Sequence, residues 1–315
     1  MSAPYDGAEV VPESAAEQRQ PVAAIVVAFH PDRARLRRVV RALQTQGCTV
    51  VVVDNGGTPE ADALGEPAPQ LHRMGYNAGV GTALNAGIAL AEARGAGHVL
   101  LMDQDSVPRE GMVARLLHWD AVLRACGAAP AAIGPRFADA ASGQLSRHVR
   151  FARWHVGRVD CAADGAPLAV DYLITSGSLI ALDTLRRVGP MDEGLFIDHV
   201  DTEWVQRAHA RGLQAYGACD ALMEHELGEF RVRVWPWRGR EVPVNKPFRY
   251  YYIVRNSIVL YRRAYMPWAW IRVDAVRLLQ ILIFMTIFHP ARRQVLGMIG
   301  RGLRDGLRGR QGPLR

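Results

Sequence analysis

Three short stretches of this chain contain the residue types from which a reaction centre could be built. Asp103-Gln104-Asp105 follows the apolar run LLM directly. Two carboxylates two residues apart, at the exit of a buried strand, are placed to hold a hard divalent cation, Mg2+ or Mn2+. Water and phosphate oxygens would complete its shell, and the cation would offset charge on a diphosphate leaving group. The same pair is also what a solvated acidic turn contains. Asp198, Asp201 and Glu203 lie in FIDHVDTEW. A carboxylate beside a hydroxyl acts as a general base where burial and like charges raise its pKa. Acids in the first turn of a helix also simply offset its dipole. His225, in MEHELG, lies between Glu224 and Glu226. An imidazole there suits Mn2+ as a third ligand, and a lone histidine is equally often structural.

Other patterns exclude chemistry. GYNAGVG contains Gly79 and Gly81 but lacks the third glycine of a dinucleotide fingerprint, and it follows LHRM, a poor strand. The chain contains no Walker motif and no Gly-x-Ser-x-Gly elbow. Thr175-Ser176-Gly177-Ser178 has no base of matching context, so it reads as a turn lining a cleft.

The elements that must position these groups follow from hydrophobic periodicity. Residues 22–29 (VAAIVVAF) are apolar and β-branched, as in a strand buried on both faces. Residues 33–46 read as a helix with Leu36, Val39, Val40 and Leu43 on one face. Residues 50–53 form a second buried strand, closed by Asp54-Asn55-Gly56-Gly57. Residues 76–94 read as a helix and 99–102 as a third buried strand. That is a βαβαβ nucleotide-binding half, on which ligands sit at the carboxyl ends of the strands. Phe29-His30, Asp54 and Asp103-Gln104-Asp105 all fall there. Beyond residue 130 the pattern suits a mixed sheet. Residues 172–182 predict a strand pair or strand–turn, 196–211 a helix, 214–225 a short strand and turn, and 247–288 a long helical region.

The composition bounds the class. Of 315 residues 49% are hydrophobic and 22% charged, so the chain is globular rather than disordered or collagenous. The net charge of +7 is uneven: residues 262–315 hold 11 Arg and 2 Asp, +9, which leaves 7 − 9 = −2 for the rest. A slightly acidic body with a basic tail disfavours a nucleic-acid binder. The four cysteines, Cys48, Cys126, Cys161 and Cys219, are scattered, which argues against a disulfide framework. Residues 1–20 have neither a basic n-region nor an apolar h-region, so they read as a disordered leader and the body as cytoplasmic.

Taken in order, VVVAFHPD, VVVDNGG, GYNAGVGTALNAGI, LLMDQDS, YLITSGSLI, GLFIDHVDTEW, the histidine of MEHELG and RYYYIVRNSIVLYR resemble the inverting glycosyltransferases of family 2. Among these, bacterial rhamnosyltransferases of surface polysaccharide (O-antigen) synthesis are the most similar. The resemblance implies an α/β GT-A fold: a Rossmann-like mixed sheet flanked by helices, followed by a C-terminal amphipathic helical region. With the composition of the two ends, it divides the chain into 1–20 (leader), 21–262 (catalytic) and 263–315 (helices and basic tail). Phe29, His30 and Pro31 match the turn that packs against the nucleotide. Asp54 matches the acid that binds the pyrimidine, and Asn77 and Gly79 match the loop beside nucleotide and sugar. Asp103 and Asp105 match the metal-binding Asp-x-Asp, Gln104 lies within it at the donor, and His225 matches a metal- and diphosphate-contacting histidine. Thr175, Ser176, Gly177 and Trp204 fall in the donor and acceptor cleft. Asp201 matches the general base. Val200 stands where the family often has an acid, which leaves Asp198 as a rival.

The implied reaction is metal-dependent transfer, with Mg2+ or Mn2+, from a nucleotide-sugar donor, dTDP-L-rhamnose, to a lipid-linked or oligosaccharide acceptor. A galactofuranosyl- or hexosyltransferase of the same fold, or a catalytically silent nucleotide-sugar-binding scaffold, are the alternatives. The apolar core at 278–288 is too short to span a bilayer. With Trp268, Trp270 and flanking arginines it suits a helix lying in the membrane interface, on the inner face of the plasma membrane. The alternative is a helix packed on the body or in an oligomer interface. The end, GRGLRDGLRGRQG, reads as disordered.

Overall fold

The computed structural model describes residues 21–139, 144–152, 156–161, 165–225, 230–234 and 240–314. The expected leader at 1–20 lies outside them.

The first half is built as its periodicity requires. β1 (Val22–Ala28) is apolar on both faces and buried along almost its whole length. It pairs in parallel with β2 (Thr49–Asp54) and with β4 (His98–Asp103). α1 (Arg33–Thr45) makes the first crossover. Its N-cap Asp32 accepts from the Arg35 N–H at 2.8 Å, and Leu36, Val39, Val40 and Leu43 face the sheet. α2 (Val80–Ala93) covers the opposite face. Successive residues of β1 feed different cores: Ala23 and Ile25 pack with α2, and Ala24 and Val26 pack with α1. The register pairs Ala28 with Asp54 and Val27 with Asp103, so the ends of β1, β2 and β4 meet at one edge.

β3 (Gln70–Arg73) adds to β2, making a strand of most of the stretch whose mixed polarity reads as a poor one. An edge position explains it, since only one neighbour covers the strand. α2 starts at Val80 rather than at residue 76, because residues 76–79 form the turn that feeds it.

The second half follows as β5 (Val107–Pro108), α3 (Met112–Ala125), β6 (Pro130–Asp139), a hairpin of β7 (His148–Phe151) and β8 (Val156–Val159), β9 (Leu168–Val170), β10 (Ser178–Ala181), α4 (Leu182–Val188), α5 (Val200–Ala210) and β11 (Gln214–His225). The sheet order is β3-β2-β1-β4-β10-β6-β11-β5, with β9 also on β11. β10 runs antiparallel to β4 and β6, so the sheet is mixed. Residues 214–225 are one long strand rather than a short one and a turn. A second hairpin, β12 (Phe230–Val234) and β13 (Arg240–Val244), precedes α6 (Pro247–Leu260), α7 (Trp268–Phe288) and α8 (Arg292–Leu307).

Two expectations are corrected. The glycine- and arginine-rich end is not disordered: residues 300–307 complete α8, which lies on α6. Glycine lowers helix propensity, which is why the sequence reads as disordered. Here it permits close approach, since a Cβ on Gly302 would stand 2.5 Å from the Tyr251 carbonyl oxygen. Buried Asp305 fixes the contact by accepting from the Tyr251 hydroxyl at 3.1 Å. The cysteines are also not all single. Cys161 and Cys219 form a disulfide across 58 residues, with Cα atoms 5.7 Å apart. Cys219 lies on β11 and Cys161 just past β8, so only the docking of the β7–β8 hairpin on the sheet brings them together.

Candidate active site

The carboxyl ends of β1, β2 and β4 carry the first group of expected site residues. Phe29 is exposed and its ring meets that of His30 edge-on, 4.5 Å between centroids. The Gln104 side chain clamps the Phe29 main chain: Oε1 accepts from its N–H at 2.7 Å and Nε2 donates to its carbonyl at 3.2 Å. Gln104 thus fixes β4 to the turn after β1, and Pro31 follows in that turn. Asp54 is buried. Its carboxylate accepts from the N–H groups of Gly56 (2.8 Å) and Thr58 (3.1 Å) and from Arg73 (2.7 Å). Burial pushes this carboxyl up, but the bonds from Thr58, Gly56 and Arg73 outweigh it and hold it below the usual range.

Beside it, Asn77 is tied back to Asn55, whose side chain donates to it at 3.1 Å and accepts from the Ala78 N–H at 2.8 Å. Gly79 has φ +88, and a Cβ there would stand 2.7 Å from the Phe196 carbonyl oxygen. The N–H of Val80, first in α2, donates to that same oxygen at 2.6 Å. The 77–79 loop is thereby locked to the chain segment carrying Asp198 and Asp201.

That segment is strained. Phe196, Asp198 and His199 all have φ near +65, so residues 196–199 are not the helical turn the periodicity predicts. Asn256 on α6 holds them, its amide donating to the carbonyls of Leu195, Ile197 and Asp198 at 2.8–3.0 Å. The acids that follow have separate fates. Asp198 pairs with Arg249, 2.6 Å between Oδ1 and NH2. Glu203, buried, takes a forked bond from Arg207 (2.8 and 3.0 Å) and another from the Tyr265 hydroxyl, and pairs with Arg263 at 3.1 Å. Among the described residues Asp201 has no cation as a hydrogen-bond partner: it accepts from the Thr202 N–H at 2.7 Å and from the Tyr172 hydroxyl at 3.2 Å. Burial raises the Asp201 carboxyl above its usual value, those bonds pull it back, and the Asp198 charge adds to the rise.

Asp103 lies within electrostatic reach of this group. Burial, then the charges of Asp105 and Asp201, push its carboxyl up to about 7 against an opposing pull from Arg249. Its N–H donates to Ser176 Oγ at 3.1 Å, and Ser176 is buried. Ser176 and Gly177 therefore back the end of β4, whose Leu101 carbonyl accepts from the Gly177 N–H at 2.8 Å, while Thr175 faces the cavity. Carboxylates that repel one another, with one driven toward neutrality, fit a divalent cation: Asp103 and Asp105 supply hard oxygens, and a cation relieves the repulsion. His225 ends β11, and its side chain lies outside the described residues.

An open cavity of about 430 Å3 lies beside Asp201, and Phe29, Asp54, Asn77, Asp103 and Asp105 are not among the residues that line it. Tyr172, Thr175, Asp198, Asp201 and Arg249 line one side of it, Phe151 and Val156 of the β7–β8 hairpin another, and Trp270, Asp274 and Arg277 of α7 a third. Trp204 does not line this cavity. It is buried in the core and donates its indole N–H to the Gly189 carbonyl at 2.9 Å, which corrects its expected place in the cleft.

Several residues of the cavity were not singled out from the sequence. His199, half-buried, meets Ser257 Oγ and Arg277, each at 3.1 Å, and desolvation holds its imidazole below the usual pKa. Asp274 accepts from the Tyr261 hydroxyl at 2.8 Å and from Arg277 at 2.6 Å. Arg249 opens the motif RYYYIVRNSIVLYR and Tyr172 opens YLITSGSLI, so a signal existed for both. Asp274 and Arg277 had none, since they read as polar interruptions of an apolar helix.

The family model "Glycosyl transferase family 2" matches residues 24–156. The chain is 30% identical over 247 residues to the "dTDP-rhamnosyl transferase RfbF" of Shigella flexneri, covering 78% of this chain and 81% of that protein. Among solved structures it resembles S. aureus TarS 1-349 in complex with UDP-GlcNAc (TM-score 0.56, 13% identity, 90% of this chain and 80% of that one). It also resembles GalNAc-T7 with UDP, GalNAc and Mn2+ (TM-score 0.53, 12% identity, 87% of this chain), of which it spans 59%. At such identities these structures speak for a shared fold.

Proposed function

This chain belongs to glycosyl transferase family 2, and from that premise we propose that it transfers L-rhamnose from dTDP-L-rhamnose, with inversion, to a lipid-linked saccharide in cell-surface polysaccharide synthesis. The observation that carries the mechanism is the contrast between two neighbouring acids. Asp198 is neutralised by Arg249, whereas Asp201 keeps a carboxylate made more basic by burial, at the wall of an open cavity. Asp201 takes the proton from the acceptor hydroxyl, which attacks the anomeric carbon from the face opposite the diphosphate. Tyr172, whose own pKa is raised well above 10 by burial and then by Asp201, stays protonated and orients that carboxylate. Phe29, His30 and the Asn55–Asn77 link shape the nucleotide side, and Asp54 acts by fixing its loop.

Asp103 and Asp105, with His225, would hold Mg2+ or Mn2+. The bound cation supplies Lewis-acid stabilisation of the departing dTDP. The rhamnosyl donor rests on the resemblance to the Shigella flexneri enzyme.

Placement at a membrane is supported by α7. One side carries Trp270, Asp274 and Arg277 at the cavity, and other positions expose Trp268, Val276, Leu279, Ile283 and Ile287. Among the described residues no helix is long and apolar enough to cross a membrane. A helix in the interface would bring a lipid-linked acceptor to the cavity mouth. We accordingly assign residues 21–262 to catalysis and 263–315 to attachment on the cytoplasmic face of the plasma membrane, with α7 also lending Trp270, Asp274 and Arg277 to the cavity wall.

The test is a donor screen with purified protein and Mg2+ or Mn2+, reading nucleoside diphosphate release. dTDP-L-rhamnose is expected to be the preferred donor, and preference for a galactofuranose or hexose donor would select the alternative enzyme. Asp201→Asn should lower kcat by on the order of 10²–10⁴, and Asp198→Asn by about tenfold or less. The reverse ranking would make Asp198 the base. Wild-type protein that binds donor but transfers to no acceptor would select a silent scaffold.

A further inference from the structure

The cysteine pair has a third neighbour. One ring nitrogen of His148 and the sulfurs of Cys161 and Cys219 lie within 4.8 Å of one another, the one such His/Cys/Asp/Glu cluster among the described residues. The three come from different parts of one joint: His148 starts β7, Cys161 follows β8, and Cys219 sits on β11.

His148 is the informative member. It is 6% exposed, and its Nε2 has no hydrogen-bond partner. The ring lies flat against β11, because a Cβ on Gly217 would stand 2.2 Å from Cε1 and 2.3 Å from Nδ1. It is hydrogen-bonded to the main chain at Ala218. The ring is thus held against the main chain of β11 while its buried Nε2 is left without a partner. A disulfide alone has no need of such a group, and leaving a buried polar atom unmatched is costly. A metal ligand needs this arrangement: an imidazole whose second nitrogen is held by the protein.

We propose that His148, Cys161 and Cys219 form a redox-gated site for a thiophilic divalent cation, Zn2+, separate from the transfer site. Tetrahedral Zn2+ takes sulfur at about 2.3 Å and nitrogen at about 2.0 Å, which places two ligating sulfurs about 3.8 Å apart. The 5.7 Å between the two Cα atoms accommodates that spacing once the S–S bond is open. Opening takes two electrons: a dithiol is oxidised to its cyclic disulfide, and Cys161 and Cys219 become thiols. Zn2+ then displaces two protons, bonds both thiolates and the imidazole, and keeps water in the fourth position. Either form ties the hairpin that walls the cavity to β11. The oxidised form does so covalently and the reduced form through the metal, so the joint survives a reducing compartment.

The test uses the full chain carrying Cys126→Ser, which removes an exposed thiol. After reduction with a phosphine and anaerobic desalting, Co2+ is titrated as the probe. One equivalent should produce the thiolate-to-cobalt charge-transfer band with the d–d bands of a four-coordinate site, and Zn2+ should abolish both. The oxidised protein should show neither. Cys161→Ser or Cys219→Ser should weaken the charge-transfer band, and His148→Ala should shift the d–d bands and weaken binding at least tenfold. Circular dichroism identifies any variant that fails to fold, and the wild-type titration stands without it. Two titratable thiols with no charge-transfer band at saturating Co2+ would overturn the proposal. So would a spectrum and affinity unchanged in folded His148→Ala.

Discussion

Asp198, Asp201 and Glu203 lie within six residues of chain and have the same chemistry in the sequence, yet each meets a different partner. Arg249 takes the first, Tyr172 the second, and Arg207 with Arg263 the third. The Tyr172 hydroxyl lowers the pKa of Asp201 by donating to it. Tyr172→Phe should therefore move the acidic limb of the kcat/KM profile to higher pH, by on the order of one unit. A limb that stays in place would remove Tyr172 from the mechanism. Asp103 permits a test of linkage. Its carboxyl titrates near 3.8 when unperturbed and near 7 in the fold, so the native state retains a proton that the unfolded chain has lost. Stability must then fall as pH rises from about 4 to about 7. In metal-free protein Asp103→Asn should be increasingly more stable than wild type over that window, by up to about 4 kcal/mol at pH 8. Denaturant melts at pH 4 and pH 8 measure it, and an equal difference at both would mean that Asp103 is not held neutral.

At the scale of elements, the site depends on how α6 addresses the loop before α5. Asn256 and Arg249 are two turns apart on α6, and they hold the 196–199 backbone and Asp198 respectively. α8 in turn buttresses α6 through Gly302, where there is no room for a side chain. Gly302→Ala should destabilise the fold by about 1–3 kcal/mol through overpacking. Gly297→Ala, on the same helix with open space around it, should be neutral or slightly stabilising. Thermal unfolding of the two variants separates tight packing from propensity, and equal effects would refute the α6–α8 contact. The βαβ crossovers, by contrast, were legible in advance. Leu36, Val39, Val40 and Leu43 repeat at helical spacing, and 22–29 and 50–53 are unbroken apolar runs, so local pattern alone decides those elements.

The whole molecule separates its charges as the sequence arithmetic implies, but some of the tail's charge turns inward. Asp274 and Asp305 are buried and take Arg277, Arg304 and Arg310 as partners. What α7 leaves outward is largely apolar. Leu279→Glu with Ile283→Glu should reduce co-sedimentation with anionic vesicles by tenfold or more, since each exposed side chain is worth about 1.5–3 kcal/mol when buried. Release of dTDP with a soluble acceptor should not change. Undiminished vesicle binding would assign that face to another partner.

The sequence by itself determined the alternation of buried strands and amphipathic helices, the placing of Asp54 and Asp103 at strand ends, and the ordered motifs that mark the family. All of these are local: they depend on side-chain period and on which residue follows an apolar run. Only the tertiary structure decided which acid lacks a cation, why residues 196–199 leave the helix, that a glycine-rich end is packed helix, and that Cys161 meets Cys219. These depend on groups 50 to 60 residues apart (Arg249 on Asp198, Asn256 on Ile197, Tyr251 under Gly302). A carboxylate's basicity and a glycine's role are set by what packs against them, and sequence spacing does not encode that across folded distances.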